Sequence, residues 1–104
     1  MTLEQLRIFV TVAETLNMTR AAEALHLAQP SVSAAVAALE SRHGLRLFDR
    51  VGRGLELSAA GRTFLPEARA VLAAAQDAAR ALDDLAGLRR GTLALAASQT
   101  VATY

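Results

Sequence analysis

From Leu3 to Leu16, apolar residues recur at spacings of three and four. Leu3, Leu6, Ile8, Phe9, Val12, Ala13 and Leu16 thereby share one face of a predicted helix. Thr2 stands at the N-cap position, and Gln5 follows three residues later as a capping-box partner. Asn17 marks the stop. Thr19 then offers its hydroxyl as N-cap of a second, shorter helix, whose thin apolar face is Ala21, Ala22, Ala24 and Leu25. Pro30 opens a third helix, because a first turn does not use the N–H that proline lacks. It runs to Arg42 or His43, with Val32, Ala35, Val36 and Leu39 inward and Gly44 as its stop.

After Gly44 the period falls to two. Leu45 and Leu47 alternate, as do Leu55 and Leu57, around the turn Val51-Gly52-Arg53-Gly54. This predicts a small β-hairpin. Ser58 caps the last and longest helix, about 59–89, in which Pro66 is expected to kink or loosen the second turn. Phe64, Leu65, Ala68, Val71, Leu72, Ala75, Ala79, Leu82 and Leu85 form its sustained apolar seam. At ~1.5 Å per residue this helix is about 45 Å long. The segment before it is too small to cover it, so the seam predicts a homodimer. Beyond it, Gly91 to Ala97 alternates weakly and reads as a strand with no later segment to pair with. It is expected to be the first strand of a further domain that is mostly absent.

Composition narrows the class. The chain has 104 residues, enough for one compact domain and an appendage. It holds 24 Ala and 17 Leu against 3 Phe, 1 Tyr and no Trp, so its core is modest and helical. With no Cys, disulfides and thiolate chemistry are excluded. The N-terminus lacks the basic-then-apolar order of a signal peptide. The longest uncharged runs, 24–39 and 91–104, fall short of the ~20 apolar residues of a bilayer span, so a cytoplasmic protein is expected. His26 and His43 have no nucleophile partner or metal spacing, and no glycine loop suits a phosphate. The sequence points away from an enzyme, and calls for no metal or cofactor.

The stretch Met18 to Ala37 fits a helix-turn-helix. Ala21, Leu25, Leu27, Val32 and Ala35 brace it, and Ala22 is small where the two helices cross. His26 departs from the glycine usual in the turn. The order of parts is that of a winged helix-turn-helix: a helix, the two-helix unit, a glycine hairpin with Arg at its tip, and a long dimerising helix. Over its whole length the sequence resembles the LysR-type transcriptional regulators. The resemblance lies in Leu6-Arg7-Ile8-Phe9, Thr19 to Leu27, Gln29-Pro30-Ser31-Val32-Ser33, Leu39-Glu40, Gly44, Leu47-Phe48-Asp49-Arg50 and Leu57-Ser58-Ala59-Ala60-Gly61.

The resemblance implies a mainly α protein in three parts. Residues 1–58 form a winged helix-turn-helix, three helices plus a small β-hairpin. Residues 59–90 form a linker and dimerisation helix. Residues 91–104 form the first strand and following loop of a truncated effector-binding domain. The implied partner is double-stranded DNA, bound by a homodimer at an inverted repeat, with tetramers possible for a longer parent. Gln29, Pro30, Ser31 and Ser33 cluster where the third helix enters the major groove. Gln can pair with an adenine edge, Pro or Ser can touch a thymine methyl, and Ser hydroxyls suit phosphate. Arg50 and Arg53 bracket the hairpin turn and are expected at phosphate or in a minor groove. Arg50 has a structural alternative, an ion pair with Asp49 or Glu56. Thr19 and Arg20 are phosphate candidates. Ser98 and Thr100 correspond to contacts for a small-molecule effector in the full-length parent. Where the family often carries Arg or another long polar side chain, this chain has Ala34 and Ala35. That shifts specificity toward DNA shape or the wing. The segment 1–58 carries six Arg and six acids, a net charge of zero, so non-specific affinity per protomer should be weak. The alternative is a coiled-coil protein-binding adaptor without DNA binding, which leaves Gln29-Pro30-Ser31 and the arginine hairpin unexplained.

Overall fold

The computed structural model describes the backbone of residues 1–103 and side chains to residue 91. The order is α1 (Leu3–Thr15), α2 (Met18–Leu25), α3 (Gln29–His43), β1 (Phe48–Val51), β2 (Gly54–Leu57) and α4 (Ala59–Thr103). This is the expected mainly α, winged helix-turn-helix order.

The ends of α1 and α2 follow from local hydrogen bonding. Thr2 and Gln5 form the expected capping box, with reciprocal bonds of 3.1 and 3.0 Å. Leu16 closes α1 in the left-handed region, at φ 51°. The cap of α2 is Asn17, whose Oδ1 accepts the Arg20 N–H at 2.9 Å. Thr19 is therefore inside the helix and does not cap it, contrary to expectation. Asn caps somewhat better than Thr, and it lies one turn before the N–H it satisfies. His26 ends α2 at φ 56° and donates its N–H back into the helix. It holds with a side chain the conformation that glycine adopts without strain.

Helix α3 begins at Gln29, one residue earlier than expected, and Gly44 ends it at φ 61°. The hairpin pairs Phe48 with Leu57, Asp49 with Glu56, Arg50 with Leu55 and Val51 with Gly54. Gly52 and Arg53 form its two-residue turn, with Gly52 at φ 59°. Hairpin turns with glycine first need that positive φ.

The first compact unit runs from Met1 to Leu72. Here α1 packs on α2 and α3, and α2 packs on α3. Phe9, Val12 and Val32 are the largest fully buried side chains. Each contributes roughly 1.5–3 kcal/mol by leaving water. Phe9 lies between the other two phenylalanines, with ring centroids 5.4 Å from Phe48 and 4.9 Å from Phe64. One aromatic cluster thus joins α1, β1 and α4. Ala21 and Ala22 are buried, and Leu25, Leu27 and Ala35 pack against the core, as the helix-turn-helix brace requires. Val10, off the expected stripe, is buried too, while Leu3 is 49% exposed.

That core takes up part of the apolar face expected as the dimer seam. Ala68 is fully buried inside the head, and Phe64, Leu65 and Leu72 pack against the same cluster. The first turns of α4 spend one apolar face on their own chain, because the three-helix head leaves a side open at Phe9. Of the expected seam, Val71, Leu82 and Leu85 remain as exposed large side chains, at 43%, 68% and 61%, with Leu88 beside them at 69%. Ala75 is half-buried and Ala79 exposed.

The second unit begins at Ala73, and its described backbone is the remainder of α4, to Thr103. The expected strand at 91–97 is helical instead. Leu and Ala dominate that stretch and are strong helix formers. A helix also satisfies its own backbone, whereas a lone strand would leave it unpaired. The side chains of Ser98 and Thr100 lie outside the described residues. Among the described residues, no helix is long and apolar enough to cross a membrane.

Candidate nucleic-acid interface

Four candidate contact residues come together at the start of α3. Gln29, Pro30 and Ser31 are its first three residues, all exposed, and Ser33 is half-buried one turn on. Ala28 precedes them and cannot cap with its side chain. The Ser31 and Val32 N–H groups instead both donate to the Ala28 carbonyl, at 3.0 and 3.3 Å. Gln29 Nε2 donates to Ser33 Oγ at 2.7 Å, so these two side chains are held together across the turn. The cluster presents amide and hydroxyl groups beside an apolar proline ring. Such a surface can pair with base edges, touch a thymine methyl and bind phosphate oxygens.

Thr19 and Arg20 are exposed in the first turn of α2. With Asn17 as the cap, the Thr19 hydroxyl makes no hydrogen bond among the described residues and is open to a ligand. Arg50 and Arg53 are both exposed, Arg50 on β1 and Arg53 in the turn. The described ion pairs are Arg7–Glu4 at 3.6 Å and Arg80–Asp77 at 2.6 Å. Neither Asp49 nor Glu56 pairs with Arg50 in this arrangement, so its guanidinium is also open.

The base of the wing is fixed by residues given no functional role from sequence. Glu40 Oε2 accepts the Leu47 N–H at 2.7 Å and the Phe48 N–H at 3.4 Å. On the other side, Ser58 donates its N–H to the Leu47 carbonyl at 2.9 Å and its hydroxyl to the Arg46 carbonyl at 2.5 Å. Ser58 Oγ also accepts the Gly61 N–H at 2.9 Å, the cap expected for α4. A carboxylate eight residues before the start of a strand is not a sequence signal for such a latch. The Ser-x-x-Gly spacing could have disclosed the other half.

Comparison with known proteins agrees with this geometry. Residues 3–62, more than half of the chain, match the family described as "Bacterial regulatory helix-turn-helix protein, lysR family". An HTH-type transcriptional regulator of Azotobacter vinelandii, from an ibpB-leuC intergenic region, is 45% identical over 104 residues. That alignment covers 100% of this chain and 72% of the relative. The solved complex of the CbnR DNA-binding domain with DNA superimposes with a TM-score of 0.76 at 41% identity. It covers 83% of this chain and 99% of that one. Full-length CbnR with its target DNA gives a TM-score of 0.72 at 43% identity, covering 76% of this chain and 27% of that protein. The chain spans only about a third of the length of other curated relatives it matches. Family match, relative and fold agree: the chain belongs to the LysR family of bacterial helix-turn-helix regulators.

Proposed function

We propose that this chain is the DNA-binding part of a dimeric cytoplasmic transcription regulator that reads an inverted repeat. The start of α3 enters the major groove, where Gln29, Pro30 and Ser33 meet bases and Ser31 meets phosphate. Thr19 and Arg20 contact the backbone, and Arg50 and Arg53 approach the adjacent phosphates or minor groove. The observation that carries this reading is the exposed Gln29–Ser33 cluster on the second helix of a helix-turn-helix. The solved CbnR domain, similar in fold, is itself in complex with DNA.

Two heads are joined through α4, with Val71, Ala75, Ala79, Leu82 and Leu85 in the seam. Exposed leucines at helical spacing on a long helix support that role. Two-fold symmetry then asks for half-sites about one helical turn, ~34–36 Å, apart. In a longer parent, Ser98 and Thr100 would border a small-molecule effector site.

A fluorescence-anisotropy titration tests the DNA reading. It compares an inverted-repeat duplex, selected by the protein from random sequences, with a scrambled duplex at two salt concentrations. Preference for the repeat, with steeper binding at low salt and loss on Gln29→Ala, is expected. No binding to either duplex by a folded dimer would overturn it in favour of a protein-binding adaptor.

A further inference from the structure

Glu40 lies far along α3 from the Gln29 end, at about 1.5 Å of rise per residue. Its carboxylate nevertheless takes the first two N–H groups of the wing, those of Leu47 and Phe48. Its backbone carbonyl also accepts the Leu45 N–H at 3.1 Å. Of the two bonds, the one from Leu47, at 2.7 Å, is short and holds the tie; the one from Phe48, at 3.4 Å, is long. The start of α3 and the base of the wing are therefore two stations on one helical rod. We propose that Glu40 is a positioning residue, which sets where Arg53 at the wing tip stands relative to the Gln29–Ser33 cluster.

The inference rests on the DNA reading above and adds a residue that touches no DNA. The opposite anchor explains why the role can be separated from folding. Ser58 holds the same segment to the start of α4 through the Arg46 and Leu47 carbonyls. Without the Glu40 carboxylate the wing stays attached to α4 and loses its side-chain tie to the recognition helix, keeping there only the Leu45 N–H bond to the Glu40 carbonyl. The sign of the effect is also informative. Deleting a negative charge from a DNA-binding surface should raise affinity, if charge alone mattered. Loss of positioning lowers it.

The test is a double-mutant cycle read by anisotropy, on a duplex selected by this protein from random-sequence DNA. The proteins are the unaltered chain, Arg53→Ala, Glu40→Ala and the double variant, each shown to be folded by thermal melting. Arg53→Ala is expected to weaken binding about fivefold in the unaltered chain and less than about twofold beside Glu40→Ala. Glu40→Gln, which keeps an acceptor for the Leu47 N–H, retains most of the Arg53 effect. Where Glu40→Ala unfolds the head, Glu40→Met keeps the stem without the acceptor oxygens and replaces it. An equal loss from Arg53→Ala in both backgrounds overturns the positioning role, as does a rise in affinity on Glu40→Ala. If Arg53→Ala changes nothing in the unaltered chain, the wing reading itself falls, before any Glu40 variant is measured, and the inference falls with it.

Discussion

Gly61 and Gly87 lie in the same helix, and replacing each by Ala should move stability in opposite directions. In a helix interior the exchange gains up to about 1 kcal/mol through propensity. At Gly87 nothing lies within 4 Å of the added Cβ, so the gain should appear. At Gly61 the Cβ would fall 2.2 Å from the Leu47 carbonyl oxygen, 3.2 Å from its carbon and 2.8 Å from Leu57 Cδ2. The leucine side chain can rotate away. The carbonyl cannot, because it accepts the Ser58 N–H while the Leu47 N–H is held by Glu40. Restoring an ordinary carbon–oxygen contact takes a backbone shift of about 1 Å. That costs about 1–3 kcal/mol in strain. The stretched Ser58 bond costs about 1 kcal/mol more. Against the propensity gain, a net loss of about 2 kcal/mol is expected, a drop in Tm on the order of 10 °C. Urea unfolding should be run at one protein concentration, since the proposed dimerisation would make apparent stability concentration-dependent. A Gly61→Ala protein as stable as the unaltered chain would refute the close approach that seats the wing on α4.

Six further substitutions probe other joints. Asn17→Ala should cost about 1 kcal/mol as a lost cap, whereas Thr19→Ala should stay within about 0.5 kcal/mol and show itself in DNA titrations; equal unfolding midpoints for the two would contradict the cap assignment. His26→Gly should gain about 0.5 kcal/mol in urea unfolding, because relief of a left-handed residue slightly exceeds the added unfolded-state entropy; a loss would mean that the imidazole makes a contact worth more than the strain. Leu85→Asp should lower the dimer fraction in sedimentation and leave the helical signal of the head unchanged, while Ala68→Asp should unfold the head; a dimer that survives Leu85→Asp removes that residue from the seam. Glu56→Gln should stabilise the hairpin by about 0.3 kcal/mol, since Glu56 faces Asp49 directly across the strands; it should also tighten DNA binding at low salt, and weaker binding would be inconsistent with a wing close to phosphate.

Most of the head was legible because its signals are local. The stripe from Leu6 to Ala13, the Thr2–Gln5 box, Pro30, Gly44 and the glycine hairpin each act within a few residues. In the sequence, Asn17 reads as a stop for the first helix and not as a cap for the second. Asn17 and Thr19 are both capping residues, two positions apart, and the one bonded to Arg20 became visible only in three dimensions. The partner of the seam was hidden for a different reason. A heptad pattern says which residues share a face and not which partner takes it. Phe64 and Ala68 carry the same pattern as Leu82 and Leu85, yet the head takes the first pair. The Glu40 latch was invisible because it joins a helix to a strand across a loop, with one ordinary glutamate and two backbone N–H groups.

The neutral charge of the head sharpens what its geometry must do. Arg7, one of its six arginines, is tied to Glu4 by an exposed pair that contributes little. Arg20, Arg50 and Arg53, at the helix-turn-helix and the wing, have no ion-pair partner among the described residues. The acids Asp49 and Glu56 sit opposite each other on the hairpin. Strand alternation puts that pair on the face away from Phe48 and Arg50. A wing with carboxylates on one face and an arginine on the other can approach a phosphate backbone favourably in only one orientation. On the proposed reading, affinity comes from the placement of a few cations and from two heads held at one spacing, rather than from a basic field. On that reading the parts that fix position, Ser58, Gly61 and Glu40, would control binding as much as the side chains proposed to reach the DNA.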